Sequence, residues 1–156
     1  MNHLLSWIIW LPVIGMVAIT FIPREKTALI KQVSAVVTGI QLVLAIYLWR
    51  IFDAGIGTFQ FMERAEWIPS FNITYILGVD GLSLPMVILM ALIGFISVFV
   101  SWNINTAVKG YFSLFLLLNT GVMGVFLSLD FFLFYIFWEV MLLPMYFLIG
   151  MWGGPQ

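Results

Sequence analysis

A single acidic side chain interrupts a long apolar stretch near the end of the chain. Residues 131–151 are enough to cross a bilayer as one helix, and Glu139 is the only charged residue among them. A carboxyl group at that depth is costly, and isolated acids inside membranes commonly mark ion pathways. The sequence therefore predicts that Glu139 takes part in proton transfer.

Polar groups accompany this glutamate along one side of the predicted helix. Tyr135 and Tyr146 precede and follow Glu139 by four and seven residues, which places all three on one stripe. Pro144 has no amide hydrogen, so the carbonyl of Val140 loses its helical donor. We expect acid, hydroxyls and free carbonyl to form a strip that water or a partner side chain can use.

Burial favours the protonated form of a carboxyl group, and a nearby cation favours the charged form. A glutamate with a movable cationic neighbour can therefore load and release a proton near neutral pH. Two alternatives remain open: Glu139 is permanently paired with a cation on another helix, or the span is shifted so that Glu139 lies near an interface. Asn119, in the preceding apolar run, is predicted to act either as a polar relay or as an interhelical hydrogen-bonding residue.

The composition excludes several classes of protein. Hydrophobic residues make up 63% of the 156 and charged residues only 8%, which indicates an integral membrane protein in a lipid bilayer. The net charge of −1 gives no indication of nucleic-acid binding. The chain has no cysteine and a single histidine, His3, and it shows no acidic cluster, phosphate loop or hydrolase motif. We therefore expect neither a metal nor a redox cofactor in this chain.

The apolar runs predict an all-α membrane domain, residues 1–156, with five transmembrane helices. The predicted spans are 4–22, 28–52, 82–100, 111–128 and 131–151. Pro12 is expected to free the carbonyl of Ile8 and to kink the first span. Ser83 is expected to cap the third span and Asp130 the fifth. Small residues repeat in the fourth span at Thr120, Gly124 and Ser128, a spacing that allows two membrane helices to approach closely.

The polar segment 53–81 is predicted to be a loop on the outer face of the membrane, with residues 57–62 and 71–76 forming a hairpin. The basic residues set this orientation. The first and third connections hold Arg24, Lys26, Lys31 and Lys109, whereas the second holds Arg50 and Arg64. Because cytoplasmic loops carry the excess of lysine and arginine, the N-terminus is expected outside together with the 53–81 loop.

Three stretches resemble a known family. They are DFFLFYIFWEVMLLPMYFLIGMWGG at 130–154, FQFMERAEWIP at 59–69 and YILGVDGLS at 75–83. They resemble the antiporter-like chain M subunits of respiratory complex I, which are similar to mitochondrial NADH dehydrogenase subunit 4. The resemblance covers the whole chain, and it implies the N-terminal portion of a longer, proton-translocating subunit.

The resemblance also implies where the other parts of such an enzyme lie. Flavin, iron–sulfur clusters and quinone are expected in partner subunits, so this chain would be a non-redox subunit of the complex. Its expected partners are the other membrane-arm subunits, and its expected location is the bacterial inner membrane. The family's essential glutamate corresponds to Glu139, whose partner lysine lies on a later helix that is absent from these residues.

Two other functions are compatible with the residues. A related multisubunit cation/proton antiporter would share the buried glutamate. A membrane scaffold that transports nothing would use the five spans only for packing, and Glu139 would then be dispensable.

Overall fold

The computed structural model describes residues 4–23, 25–52, 60–68, 73–103 and 108–152. Its helices are α1 (Leu4–Thr20), α2 (Thr27–Ile51), α3 (Ser83–Val100), α4 (Val108–Leu127) and α5 (Phe131–Trp152). Two strands, β1 (Gln60–Ile68) and β2 (Ile73–Val79), lie between α2 and α3, and a short 3-10 helix (Ser101–Asn103) follows α3. The predicted helical membrane fold with five helices is confirmed.

The helix bounds differ from the predicted spans mainly at α1 and α4. Within the described residues, α2 to α5 are long and apolar enough to cross a bilayer, whereas α1 has 17 residues. The turn that follows α1 is tighter than an α-helical turn, since the backbone amide of Ile22 donates to the carbonyl of Ile19, three residues before it. Helix α4 begins at Val108, three residues before the predicted span, and so includes Lys109.

Helix α4 is central because it contacts each of the other four helices. The buried apolar side chains form two clusters, which are stacked along the helix axes. One cluster includes Leu5, Leu48 and Leu127 and lies at the end of the bundle that the hairpin covers. The other includes Ile19, Ile30 and Phe112 and lies at the opposite end.

The hairpin prediction is confirmed: among the described residues β1 extends to Ile68, beyond the predicted end at residue 62, and β2 extends to Val79, beyond the predicted end at residue 76. Strands β1 and β2 are antiparallel, and residues 57–59 and 71–72 of the predicted strands lie outside the described residues. The backbone amide of Leu129 donates to the carbonyl of Ile76 (2.9 Å), and Leu77 forms a bridge with Ser128. The hairpin therefore packs over the junction of α4 and α5.

Two aspartates begin helices at this end of the bundle. Asp130 accepts a hydrogen bond from the amide of Leu133 (3.0 Å), so the prediction that it caps α5 is confirmed. The prediction for Ser83 is wrong. The carboxylate of Asp80 accepts from the amides of Leu82 (3.1 Å) and Ser83 (2.9 Å), while the Ser83 hydroxyl accepts from the amide of Asp80. The amide of Ser83 is the main reason that the pKa of Asp80 lies below its usual value of 3.8.

Two lysines bind carbonyl groups at the other end. The ammonium of Lys109 donates to the carbonyls of Thr20 (2.9 Å) and Ile22 (3.0 Å), where α1 ends. The ammonium of Lys31 donates to the carbonyl of Trp102 (2.5 Å), just after α3. Positive charge at a helix C-terminus is favourable, so these lysines join the ends of antiparallel neighbours.

Candidate functional site

Helix α5 has one buried face and one exposed face within the described part of the chain. Leu133, Phe137 and Pro144 are buried, and their spacing of four and seven residues defines the face that packs into the bundle. Glu139 lies on the other side of the helix and is exposed. The orientation of this glutamate therefore depends on what holds the buried face in place.

Two glycines of α4 hold that face. A Cβ atom added at Gly121 would lie 2.6 Å from the backbone nitrogen of Met141, and one added at Gly124 would lie 2.2 Å from the ring of Phe137. Only glycine permits such a close approach between the two helices. The predicted stripe of small residues was therefore right in Gly124, but it missed Gly121. This close contact sets which face of α5 packs against α4, and therefore which way Glu139 points.

The tyrosines predicted to accompany Glu139 lie on the same exposed face. Tyr135 is 53% exposed and Tyr146 is 73% exposed, and the stripe continues through Phe132 and Leu143. Pro144 lies on the buried face, so it contributes to the strip only through the Val140 carbonyl that its ring leaves without a helical donor. We call the exposed set Tyr135, Glu139 and Tyr146 the acid strip.

Glu139 has no hydrogen-bond or ion-pair partner among the described residues. Among those residues, no three histidine, cysteine, aspartate or glutamate side chains come close enough to hold a metal ion. The acid strip thus offers one carboxyl group and two hydroxyl groups, which suit proton transfer. A cation to pair with Glu139 has to come from outside the described residues.

Asn119 does not belong to the acid strip. It is fully buried, and its amide nitrogen would lie 2.9 Å from a Cβ atom at Gly94 of α3. It therefore points from α4 toward α3, whereas Gly121 and Gly124 of the same helix face α5.

Sequence reasoning missed a buried polar face on α2. Lys31, Ser34, Thr38 and Gln41 are all buried there. Their spacing of three and four residues was the signal that could have identified one inward-facing stripe. Pro12 was predicted to leave the carbonyl of Ile8 without its helical donor. In the structure the amide nitrogen of Gln41 donates to that carbonyl (2.7 Å). Helix α1 runs without interruption through Pro12.

No protein-family model matches the chain. Curated relatives do match it along nearly all of its length. It is 40% identical to NADH-quinone oxidoreductase subunit M of Escherichia coli K12, over 96% of this chain and 31% of that protein. It is 37% identical to NADH-ubiquinone oxidoreductase chain 4 of Arabidopsis thaliana, over 97% of this chain and 31% of that protein. The chain belongs to the subunit M, or chain 4, family. The chain spans less than a third of the length of these family members.

Solved structures show the same fold. The chain matches one from respiratory complex I of Thermus thermophilus with bound NADH, with a TM-score of 0.79 and 24% identity, over 97% of this chain and 30% of that one. It also matches a chain of the membrane-bound sulfane sulfur reductase, an archaeal respiratory membrane complex, with a TM-score of 0.77 and 20% identity, over 91% of this chain and 22% of that one. The subunit M fold is therefore found in two kinds of respiratory membrane complex.

Proposed function

We propose that this chain is part of a proton-translocating, membrane-arm subunit of an NADH:quinone oxidoreductase, and that Glu139 carries the proton. The observation that carries the proposal is the position of Glu139 in the middle of a 22-residue apolar helix. The glycine contacts with α4 direct it to a face that the described residues leave uncovered. Membership of the subunit M family supports the same role.

The chemistry requires the acid strip to be enclosed and to receive a cation. In water, a glutamate side chain is ionised at neutral pH, so it does not take up a proton there. Once other helices cover the strip, the protonated form is favoured, and an approaching ammonium group restores the charged form. Movement of that cation would load and release one proton per cycle. We propose that a lysine in a later part of the subunit supplies the ammonium group, as the family resemblance implies.

The redox chemistry belongs elsewhere in this proposal. The 156 residues contain no cysteine to ligate an iron–sulfur cluster. As the family resemblance implies, we assign flavin, clusters and quinone to partner subunits. The partners are then the other membrane-arm subunits. We place the subunit in a bacterial inner membrane, as the family resemblance implies. We place the start of α1 on the outer side, because the two lysines that bind helix ends lie at the opposite end of the bundle.

The test is the Glu139→Gln variant in the assembled complex. Glutamine keeps the size and hydrogen bonding of the side chain but cannot carry a proton. We expect NADH-driven proton pumping in vesicles to fall by about 10²-fold, the lower end of what positioned acid–base groups contribute. Glu139→Asp should retain part of the activity. Glu25→Gln makes the same chemical change in the exposed turn between α1 and α2, and it should pump normally.

A subunit of a related cation/proton antiporter is the second candidate, because such a subunit would share a glutamate in the middle of an apolar helix. Co-purification decides between the two. Recovery of the chain with flavin and iron–sulfur subunits supports the oxidoreductase, whereas cation-driven proton exchange in membranes without them supports the antiporter. Unchanged pumping in Glu139→Gln, with full assembly, would instead favour the scaffold that transports nothing.

A further inference from the structure

A polar layer separates the two apolar clusters of the bundle. Along α2 the buried side chains change from Val37 to Thr38 and Gln41 and return to Ala45, and along α4 they change from Leu116 to Asn119 and Thr120 and return to Met123. Helices α1 and α3 cross this level with residues that are small or lack an amide hydrogen. These residues are Pro12 and Gly15 of α1 and Gly94 of α3, all of them buried.

Four polar atoms in this layer have no hydrogen-bond partner among the described residues. They are Oε1 of Gln41, Nδ2 and Oδ1 of Asn119, and Oγ1 of Thr120. An unpaired buried polar group costs about 1–3 kcal/mol. Four such atoms in one layer therefore require an explanation. Thr38 is the exception in the same layer, because its hydroxyl donates to the carbonyl of Ser34 (2.8 Å).

Later helices of a longer subunit cannot supply the missing partners. Gln41, Asn119 and Thr120 are each 0% exposed when only the present residues enclose them. Side chains from outside would have to separate α1 to α4 in order to reach these atoms. A small molecule inside the bundle reaches these atoms without separating the helices.

We propose that the layer holds internal water, bound by the unpaired groups of Gln41 on α2 and of Asn119 and Thr120 on α4. Water matches the chemistry of the unpaired atoms, since the Asn119 amide nitrogen donates, the two amide oxygens accept, and the Thr120 hydroxyl does either. Buried waters commonly make two to four hydrogen bonds to otherwise unsatisfied groups. The absence of a Cβ atom at Gly94 leaves room for the Asn119 amide to reach the layer.

Asn119 of this layer points toward α3, whereas Gly121 and Gly124 of the same helix contact α5 and so orient the acid strip. The proposal does not depend on the proton-transfer role of Glu139. It predicts that the bundle formed by α1 to α4 holds ordered water at the level where its two apolar clusters meet, in whichever complex the subunit serves.

Cryo-electron microscopy of the assembled complex tests the proposal, at a resolution that shows waters elsewhere in its membrane part. We expect density for at least one water within about 2.7–3.2 Å of the Asn119 amide, the Gln41 oxygen or the Thr120 hydroxyl. Thr120→Val and Asn119→Leu should each remove or displace the water bound to the side chain that is replaced, without moving the helices. Thr38→Val is the matched control: it also replaces a buried threonine of the layer, but its hydroxyl is already paired, so the water should remain.

Two results would overturn the proposal. One is a dry layer in which Gln41 and Asn119 hydrogen-bond directly to each other or to backbone groups. The other is density that survives unchanged in both Thr120→Val and Asn119→Leu, because the water would then belong to other groups. If one variant fails to assemble, the wild-type density and the other variant still show whether the layer holds water.

Discussion

Gly121→Ala tests whether close packing against α4 fixes the position of the acid strip. The new methyl group would lie 2.6 Å from the backbone nitrogen and 2.7 Å from the Cα atom of Met141. Ordinary van der Waals contact begins near 3.4 Å, so α5 has to move away by about 1 Å. No side-chain rotation relieves the overlap, because both atoms belong to the backbone. We expect a loss of about 1–3 kcal/mol in stability, the usual cost of overpacking.

The functional effect should exceed the loss of stability. Glu139 moves with α5, and a displacement of about 1 Å at a reacting group can lower a rate by about 10²-fold. The assay is NADH-driven proton pumping, normalised to assembled complex by native gel, together with thermal unfolding of that complex. Gly150→Ala is the control in α5, because nothing lies within 4 Å of its added methyl group. Equal pumping and equal stability in the two variants would refute the reasoning.

Gly124→Ala provides an internal check on the same contact. Its methyl group would lie 2.2 Å from the ring of Phe137, which is a side chain and can be made smaller. We therefore expect Phe137→Leu to restore part of the stability lost in Gly124→Ala. Met141→Ala should not restore the stability lost in Gly121→Ala, because the obstructing atoms belong to the backbone of residue 141 and remain in place. Only the first pair should show a favourable coupling energy in a double-mutant cycle.

Two further predictions concern residues outside α5. Gln41→Leu should lower the stability of the assembled complex by about 1–3 kcal/mol, since it leaves the Ile8 carbonyl unpaired. The loss should shrink in a Pro12→Ala background, where the new amide hydrogen can bind that carbonyl; an equal loss in both backgrounds, measured by thermal unfolding, would show that the hydrogen bond is unimportant. For Asp80, the lowered pKa means that the charged carboxylate stabilises the fold above its usual pKa of 3.8 and ceases to do so as pH falls through the lower value of the folded state. The advantage of wild type over Asp80→Asn should therefore be present at neutral pH and disappear in acid, whereas an advantage independent of pH would contradict the assignment.

Features set by local chemistry were predictable from the sequence. The apolar runs located the five helices, because a chain that spans a bilayer has to satisfy its backbone hydrogen bonds within each segment. Asp130 caps the helix that follows it, and the stripe of Tyr135, Glu139 and Tyr146 follows from helical spacing alone. Even the free carbonyl of Ile8 could be predicted, since it depends only on Pro12 four residues later.

What could not be predicted depends on residues that are distant in the sequence. Gln41 reaches the Ile8 carbonyl across 33 residues, and no local pattern relates the two. The choice of Gly121 together with Gly124 depends on how α4 is rotated against α5, which a four-residue repeat does not specify.

Helix α4 explains why the acid strip and the polar layer can coexist in one small bundle. At Gly121 no side chain separates the backbones of α4 and α5, whereas Asn119 of the same helix points toward α3. We expect a bulkier residue at Gly121 to move Glu139, and an apolar residue at Asn119 to alter only the inner layer. Pumping should therefore be sensitive to Gly121→Ala even when the inner layer is intact, because close contact with α4, rather than any group bonded to Glu139 among the described residues, determines where the carboxyl group lies.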